Sequence, residues 1–323
     1  MRRSATLESK IPGQGTMRLL RTIAALALLS LAPAAPACIN TIGTDHSGHR
    51  FFPNWYAGDD LTALMKPHPP RRDWVEFAIE RVRKDPDFGN LVNIGVVLIR
   101  QGQHVRAVEH FLTVERLFPG HSETAANLGT ALELSGHDRV ALRWIRIGMR
   151  RDPDEHHRTE WLHARILEAK IAMASDPGYL QGRSIAGVSF AADLVPPLPA
   201  QLPPGNDGRP VAAWELNKAL SYQLFERTAF VAPPDPVVAN LLMDWATLNL
   251  AGGPIESAAA LYPMAVRYGA RRDALMERRL AHIRRVLAKA GNRRPAGDYA
   301  CAICDPPPPP LPPPPPPPRK QNG

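Results

Sequence analysis

Apolar residues recur at helical spacing in several segments of the chain, whereas the alternation typical of a strand is rare. Residues 74–82 and 155–175 show the i, i+3, i+4 spacing of amphipathic helices. Residues 272–290 place apolar side chains on one helical face and arginines on the other. Only the stretch 184–190 alternates as a short strand would. The pattern therefore predicts an all-α fold.

Residues 87–153 contain one unit twice, at a spacing of 34 residues. In each unit a small residue such as Gly95 or Ala107 lets two antiparallel helices approach closely, and a proline ends the second helix. Residues 236–269 follow the same offsets more loosely. A repeat of this length is typical of a helix-turn-helix solenoid. The matching positions are Leu91, Ile94, Gly95, Leu98, Gly102, Ala107, Phe111, Val114 and Pro119, followed by Ala125, Leu128, Gly129, Leu132, Gly136, Ala141, Ile145, Gly148 and Pro153.

These positions resemble the tetratricopeptide repeat family, and residues 159–170 and 233–239 also resemble a family of exported bacterial repeat proteins. The resemblance implies a solenoid of helical hairpins whose first helices line a groove for a protein or peptide. It places Asn93 and Asn127 where an amide can hydrogen-bond a bound main chain. The alternative is that these asparagines only stabilise their own helices and turns. The implied peptide-binding residues are Val92, Asn93, Val96, Arg100, Asn127, Thr130 and Glu133.

The chain of 323 residues reads as one elongated helical domain with disordered N- and C-terminal tails. Proline-rich stretches separate its parts. The predicted parts are a signal peptide at 1–37, an extended segment at 38–70, a repeat domain at 71–175 with two clear repeats at 88–121 and 122–155, a proline-rich loop at 176–210, a C-terminal helical region at 211–295 with one degenerate repeat, and a tail at 296–323 that holds a CxxC motif and a polyproline run.

The N-terminus has the layout of a secretory signal peptide. Arg18 and Arg21 precede an apolar run at 23–31, and small residues with prolines follow. The run is shorter than the roughly 20 residues that a membrane-spanning helix needs. Met17 is an alternative start. An exported protein is therefore predicted, either free in the periplasm or attached to the membrane as a lipoprotein through Cys38, with a buried helix or an uncleaved anchor as the alternative.

The chain has three cysteines, of which Cys301 and Cys304 form a CxxC motif. A redox motif would need a βαβ context, and a zinc site would need two further ligands that no second CxxC supplies. A local disulfide, or a pair of unreactive thiols, is the favoured interpretation.

The formal net charge is +8, and arginines are clustered towards the C-terminus. Arg271, Arg272, Arg278 and Arg279 on or beside the helix at 272–290 could contact an anionic surface, which would make the chain a peripheral membrane tether. The alternative is a solvated helix face. Nucleic acid is not expected as a partner of an exported protein.

His156, Glu160 and His163 provide the best enzyme-like signal. At i, i+4 and i+7 of one helix they would share a side and could hold a divalent metal, as in a metal-dependent hydrolase. The chain has no HExxH motif, no phosphate-binding or dinucleotide glycine loop and no GxSxG motif. The preferred prediction is therefore a non-catalytic scaffold of the bacterial cell envelope that binds a protein or peptide and needs no cofactor.

Overall fold

The computed structural model of the protein describes residues 42–51, 61, 72–292, 294–295 and 301–304. The predicted signal peptide, Cys38 and the polyproline run lie outside these residues. Within the described ranges, no helix is both long enough and apolar enough to cross a membrane.

The described chain is mostly helical, which confirms the all-α prediction. Two short antiparallel strands, β1 (Gly43–Thr44) and β2 (Arg50–Phe51), precede the helices. Residues 184–190 are irregular and do not form the strand that their alternation allowed. The helices are α1 (Arg72–Lys84), α2 (Phe88–Arg100), α3 (His104–Leu117), α4 (Ser122–Leu134), α5 (Asp138–Arg151), α6 (Glu155–Arg158), α7 (Glu160–Met173), α8 (Ala213–Thr228), α9 (Pro236–Gly252), α10 (Ile255–Arg267) and α11 (Ala274–Ala290).

Helices α2 to α5 form two successive hairpins whose bounds repeat. Each helix of the second hairpin begins and ends 34 residues after its counterpart in the first. The glycines explain how closely the paired helices pack: a Cβ at Gly129 would lie 2.5 Å from Cδ1 of Ile145, and one at Gly95 would overlap the ring of Phe111. Each hairpin is therefore locked by a bulky side chain of one helix against bare backbone of the other.

The turns inside the two hairpins are also the same. Gly102 and Gly136 have positive φ angles of 72° and 81°, which glycine adopts without steric cost. The amides of Gln103 and His137 donate to the carbonyl oxygens of Leu98 and Leu132, at 2.9 Å in both cases. This Schellman arrangement satisfies carbonyl groups at the ends of α2 and α4, and it explains why the two glycines share the 34-residue spacing.

Helix α7 is buried over most of its surface, with Glu168 exposed, and it joins two hydrophobic cores. Ala164 and Leu167 pack with the hairpins α2–α5, whereas Leu162 and Ile166 pack with helices α8–α11. The one-sided stripe predicted for residues 155–175 is therefore too simple. Helix α10 runs without interruption from Ile255 to Arg267 although Pro263 lies inside it.

The segment at 301–304 packs against the end of α9. A disulfide joins Cys301 to Cys304. The side chain of Ile303 is fully buried beside Gly253, and its carbonyl oxygen accepts a hydrogen bond from Asn217 Nδ2 at 3.0 Å. The CxxC segment thus covers the turn between α9 and α10.

The arginines on or beside helix α11 differ in their environments. The helix itself begins at Ala274, two residues later than predicted. Arg279 is only 5% exposed, and its guanidinium donates to the carbonyl oxygens of Ala191 and Asp193. The prediction that Arg279 contacts an anionic surface is therefore wrong, because its donors hold the loop between α7 and α8. Arg272 pairs with Glu277, and Arg271 and Arg278 are exposed.

Candidate functional site

A cavity of about 220 Å³ lies where helix α8 faces the first helices of the two hairpins. Its wall combines apolar residues with an unusual number of charged ones. The lining residues are Val96, Ile99 and Arg100 of α2; Glu123, Asn127, Thr130, Glu133 and Leu134 of α4; His156 of α6; Glu160 and His163 of α7; Tyr222, Gln223, Glu226 and Arg227 of α8; and Phe230 and Val231 beyond it.

Five of the seven residues predicted to bind a peptide line this cavity: Val96, Arg100, Asn127, Thr130 and Glu133. The other two do not. Val92 is 1% exposed in the core of the hairpins, so it cannot contact a partner, and Asn93 is exposed away from the cavity. The site is also not an open groove, because α8 forms its opposite wall.

The polar side chains of Asn127 and Thr130 are partly used within α4. Asn127 Nδ2 donates to the carbonyl oxygen of Glu123 at 3.0 Å, and Thr130 Oγ1 donates to that of Ala126 at 3.2 Å. Side chains of this kind commonly bond to the preceding helical turn. The amide oxygen of Asn127 is not engaged by that bond and can accept a hydrogen bond from a ligand.

Glu133 is the centre of a buried ion network. Arg227 donates to its two carboxylate oxygens at 2.6 and 3.1 Å, His163 Nε2 lies 2.8 Å from Oε2, and Lys170 donates to Oε1 at 2.9 Å. Burial disfavours the charged carboxylate, but Arg227 and His163 outweigh that effect and hold the pKa of Glu133 well below its usual value. The network fixes α8 to α4 across the cavity floor.

Glu160 lies between two histidines at the other side of the network. His156 Nδ1 is 2.6 Å from Oε1, and His163 Nδ1 is 3.4 Å from Oε2. Burial opposes both charges, yet the hydrogen bond to Glu160 raises the pKa of His156 to about 9, and the same bond helps to lower the pKa of Glu160 to about 2. His156 is therefore a cation at neutral pH, and Glu160 is an anion.

The backbone at His156 differs from the predicted helix. His156, His157 and Arg158 have φ angles of 48°, 58° and 66°, so α6 is a left-handed turn and the regular helix begins only at Glu160. Each such residue costs about 1–2 kcal/mol relative to the right-handed form. The turn is held by Thr159 Oγ1, which donates to the His156 carbonyl oxygen at 2.8 Å, and by the His156 ring, which stacks on Tyr222.

The sequence pattern placed His156, Glu160 and His163 on one continuous helix, whereas in the structure all three line the cavity and the regular helix begins only at Glu160. The ring nitrogens of His156 and His163 face carboxylate groups and do not converge on one position that a metal ion could occupy. Within the described part of the chain, no group of three or more His, Cys, Asp or Glu side chains is arranged to hold a metal ion.

The ion pair between His156 and Glu160 predicts a pH-dependent stability. The folded pKa of His156, about 9, exceeds the reference value of 6.5. Its contribution is therefore complete below pH 6.5 and is lost as the pH rises through 9. Between these limits the wild type should lose about 3 kcal/mol of unfolding free energy more than His156→Gln, measured by urea denaturation. Parallel pH profiles for the two proteins would show that the pair is not formed.

The sequence pattern predicted helices in the region of α8, but neither Arg227 nor any other residue of α8 was assigned to a functional site. One signal was present: Arg227 follows Leu220 and Leu224 at helical spacing, which places a charge on the buried stripe of the helix. Such a charge is retained only if it has a partner. Its partner, Glu133, is 94 residues away in the chain.

Comparison of the sequence with models of known protein families and with curated proteins finds no match. Its function is therefore inferred from the residues and geometry of the site.

Proposed function

We propose that the chain is a non-catalytic binding protein whose tetratricopeptide-like hairpins and helix α8 together receive one group of a protein or peptide partner. The single observation that carries the proposal is the cavity itself, which contains five of the residues that the repeat resemblance assigns to peptide binding. Because α8 forms the opposite wall, the cavity suits one side chain or chain terminus and not an extended peptide along an open groove.

The charged network supports binding and not catalysis. A general base works best when its pKa is close to the working pH. His156, with a pKa of about 9, and Glu160, with a pKa of about 2, are both far from neutrality. Their charges are already paired with each other. Such a network holds the cavity wall in a fixed shape, which lowers the entropic cost of binding.

The proposal includes export to the periplasm, either free or as a lipoprotein. Its support is the N-terminal sequence pattern together with the disulfide between Cys301 and Cys304, since disulfides persist in oxidising compartments.

Crosslinked affinity capture from the cells that make the protein tests the proposal. Wild type is compared with Asn127→Ala plus Thr130→Ala, which enlarges and depolarises the cavity, and with Asn93→Ala, a matched change outside it. We expect the double variant to lose at least about 80% of the captured partner, since two contacts at the centre of a site together cost about 1 kcal/mol or more, while Asn93→Ala retains it. Equal capture by all three proteins would contradict the proposal.

A further inference from the structure

We infer that the cavity takes a positively charged group, the ammonium of a lysine or the guanidinium of an arginine side chain of the partner. The inference rests on the proposed function, because it specifies the chemistry of the group that enters the same cavity. Its basis is the distribution of paired and unpaired charge along the cavity wall.

Two carboxylates of the wall, those of Glu123 and Glu226, have no counter-ion in contact. Neither carboxylate forms a hydrogen bond or an ion pair with any other residue for which the structure gives a position. Burial raises the pKa of both groups, and the nearby Glu155 adds to the effect at Glu123. Two partly desolvated carboxylates at one cavity would each be stabilised by a cation between or beside them.

The buried Glu160 provides an independent observation. Glu160 is 2% exposed, and its Oε1 is bonded to His156, whereas Oε2 makes no hydrogen bond and has only the ion-pair contact with His163 Nδ1 at 3.4 Å. A buried acceptor that lacks a well-formed hydrogen bond is costly. Glu160 lies in the cavity wall, so a ligand N–H group that reaches Oε2 would supply the missing hydrogen bond.

The basic residues of the wall make no ion pair with Glu123 or Glu226, although the charge of His156 partly offsets the raised pKa of both carboxylates. Arg227 is committed to Glu133, and His156 is committed to Glu160. Arg100 lies near enough to act on Glu226 electrostatically, but its guanidinium sits over the ring of Trp74, 5.4 Å from the centroid, and makes no ion pair with Glu226. His163 bridges Glu133 and Glu160. The acceptors that remain available on the wall are therefore carboxylate oxygens and the amide oxygen of Asn127, all of which can accept from a cationic N–H group.

The remaining wall suits the stem of a long basic side chain. Val96, Ile99, Leu134, Phe230 and Val231 give the cavity an apolar part. Lysine and arginine bury their methylene chains against such surfaces while the charged end reaches polar groups. A small inorganic cation would use only the carboxylates.

Ligand-observed NMR with the full-length protein tests the inference. The probe is N-acetyl-arginine amide, its matched neutral control is N-acetyl-citrulline amide, and N-acetyl-lysine amide is the second cation. The protein variants are Glu123→Gln and Glu226→Gln, with Glu109→Gln, an exposed glutamate of α3 outside the cavity, as the control. Thermal unfolding is recorded for each variant, so that a loss of folding is recognised.

We expect both cations to bind saturably with a Kd of about 1–10 mM, as a single side chain allows, and citrulline to bind at least about tenfold more weakly. Each cavity variant should weaken arginine binding by at least about fivefold, because a partly buried ion pair contributes no less than the upper end of the range for exposed pairs, and Glu109→Gln should leave it unchanged. Equal binding of arginine and citrulline, or unchanged binding in folded Glu123→Gln and Glu226→Gln, would overturn the inference.

The result is separable from the test of the proposed function. Suppose that capture of a partner depends on Asn127 and Thr130 while the arginine probe binds no more tightly than the citrulline probe. That result would support the binding function and contradict the inference that the cavity takes a cation. If both experiments are negative, both fall.

Discussion

Replacing Glu133 with alanine should lower the free energy of unfolding by about 3–5 kcal/mol, because it leaves buried positive charges without their counter-ion. The carboxylate is 3% exposed and contacts Arg227, His163 and Lys170. Removing it also deletes the link between α4 and α8. Chemical denaturation at pH 7 measures the change.

Glu168→Ala is the matched control. The side chain of Glu168 is 47% exposed, and it pairs with Arg146 at 2.7 Å on the surface. Such pairs contribute about 0–1 kcal/mol. Combining Glu133→Leu with Arg227→Leu should cost clearly less than the sum of the single changes, since an apolar pair leaves fewer unpaired charges. If Glu133→Ala were no more harmful than Glu168→Ala, the buried network would not exist.

Replacing Phe111 with alanine should destabilise the protein by a similar amount, about 3–5 kcal/mol, because the ring is fully buried in the hairpin core. The ring fills the space above Gly95. Phe77→Ala provides the control, since Phe77 is 58% exposed on α1 and surface changes usually stay within about 0.5 kcal/mol. Comparable losses for Phe77→Ala and Phe111→Ala would contradict the described packing.

A second substitution tests the contact between Phe111 and Gly95 itself. In the wild type Gly95→Ala should cost about 1–3 kcal/mol, because the new methyl group overlaps the ring. In the Phe111→Ala background the same change should be neutral or stabilising, because alanine favours the helix by about 1 kcal/mol over glycine. An equal cost of Gly95→Ala in both backgrounds would show that the two residues do not touch.

The local structure of the hairpins followed from the sequence because short-range chemistry determines it. The paired glycines predicted where helices approach and turn, and the 34-residue period is reproduced in every bound of α2–α5. The repeat resemblance assigned Asn127, Thr130 and Glu133 to the binding face, and all three line the cavity, whereas Val92 and Asn93, assigned on the same ground, do not.

The position of α8 could not be predicted in this way. The loop that precedes it spans most of residues 174–212, and no local pattern in such a loop indicates where the next helix packs. The contact that fixes α8, between Arg227 and Glu133, joins residues far apart in the chain. Long-range ion pairs of this kind leave only a charge on an apolar stripe as their sequence signal.

The structure also differs from the sequence-based prediction in the backbone at residues 156–158 and in the burial of Arg279. Both differences arise because residue type alone does not determine burial or backbone conformation. The positive φ angles of His156, His157 and Arg158 are uncommon for residues other than glycine, and three in succession are held by local and tertiary contacts that the residue types do not indicate. Arg279 was interpreted as surface charge within an arginine-rich helix, but loop carbonyl oxygens accept its hydrogen bonds.

The most direct test of the central claim, that a group of a partner enters the cavity beneath α8, is site-specific photo-crosslinking. A diazirine-bearing residue is placed at Thr130 in the cavity wall and, in a second protein, at the exposed Asn93 outside it. Mass spectrometry then identifies the crosslinked partner. We predict a crosslink from position 130 and none from position 93. A partner crosslinked from position 93, with none from position 130, would contradict the claim.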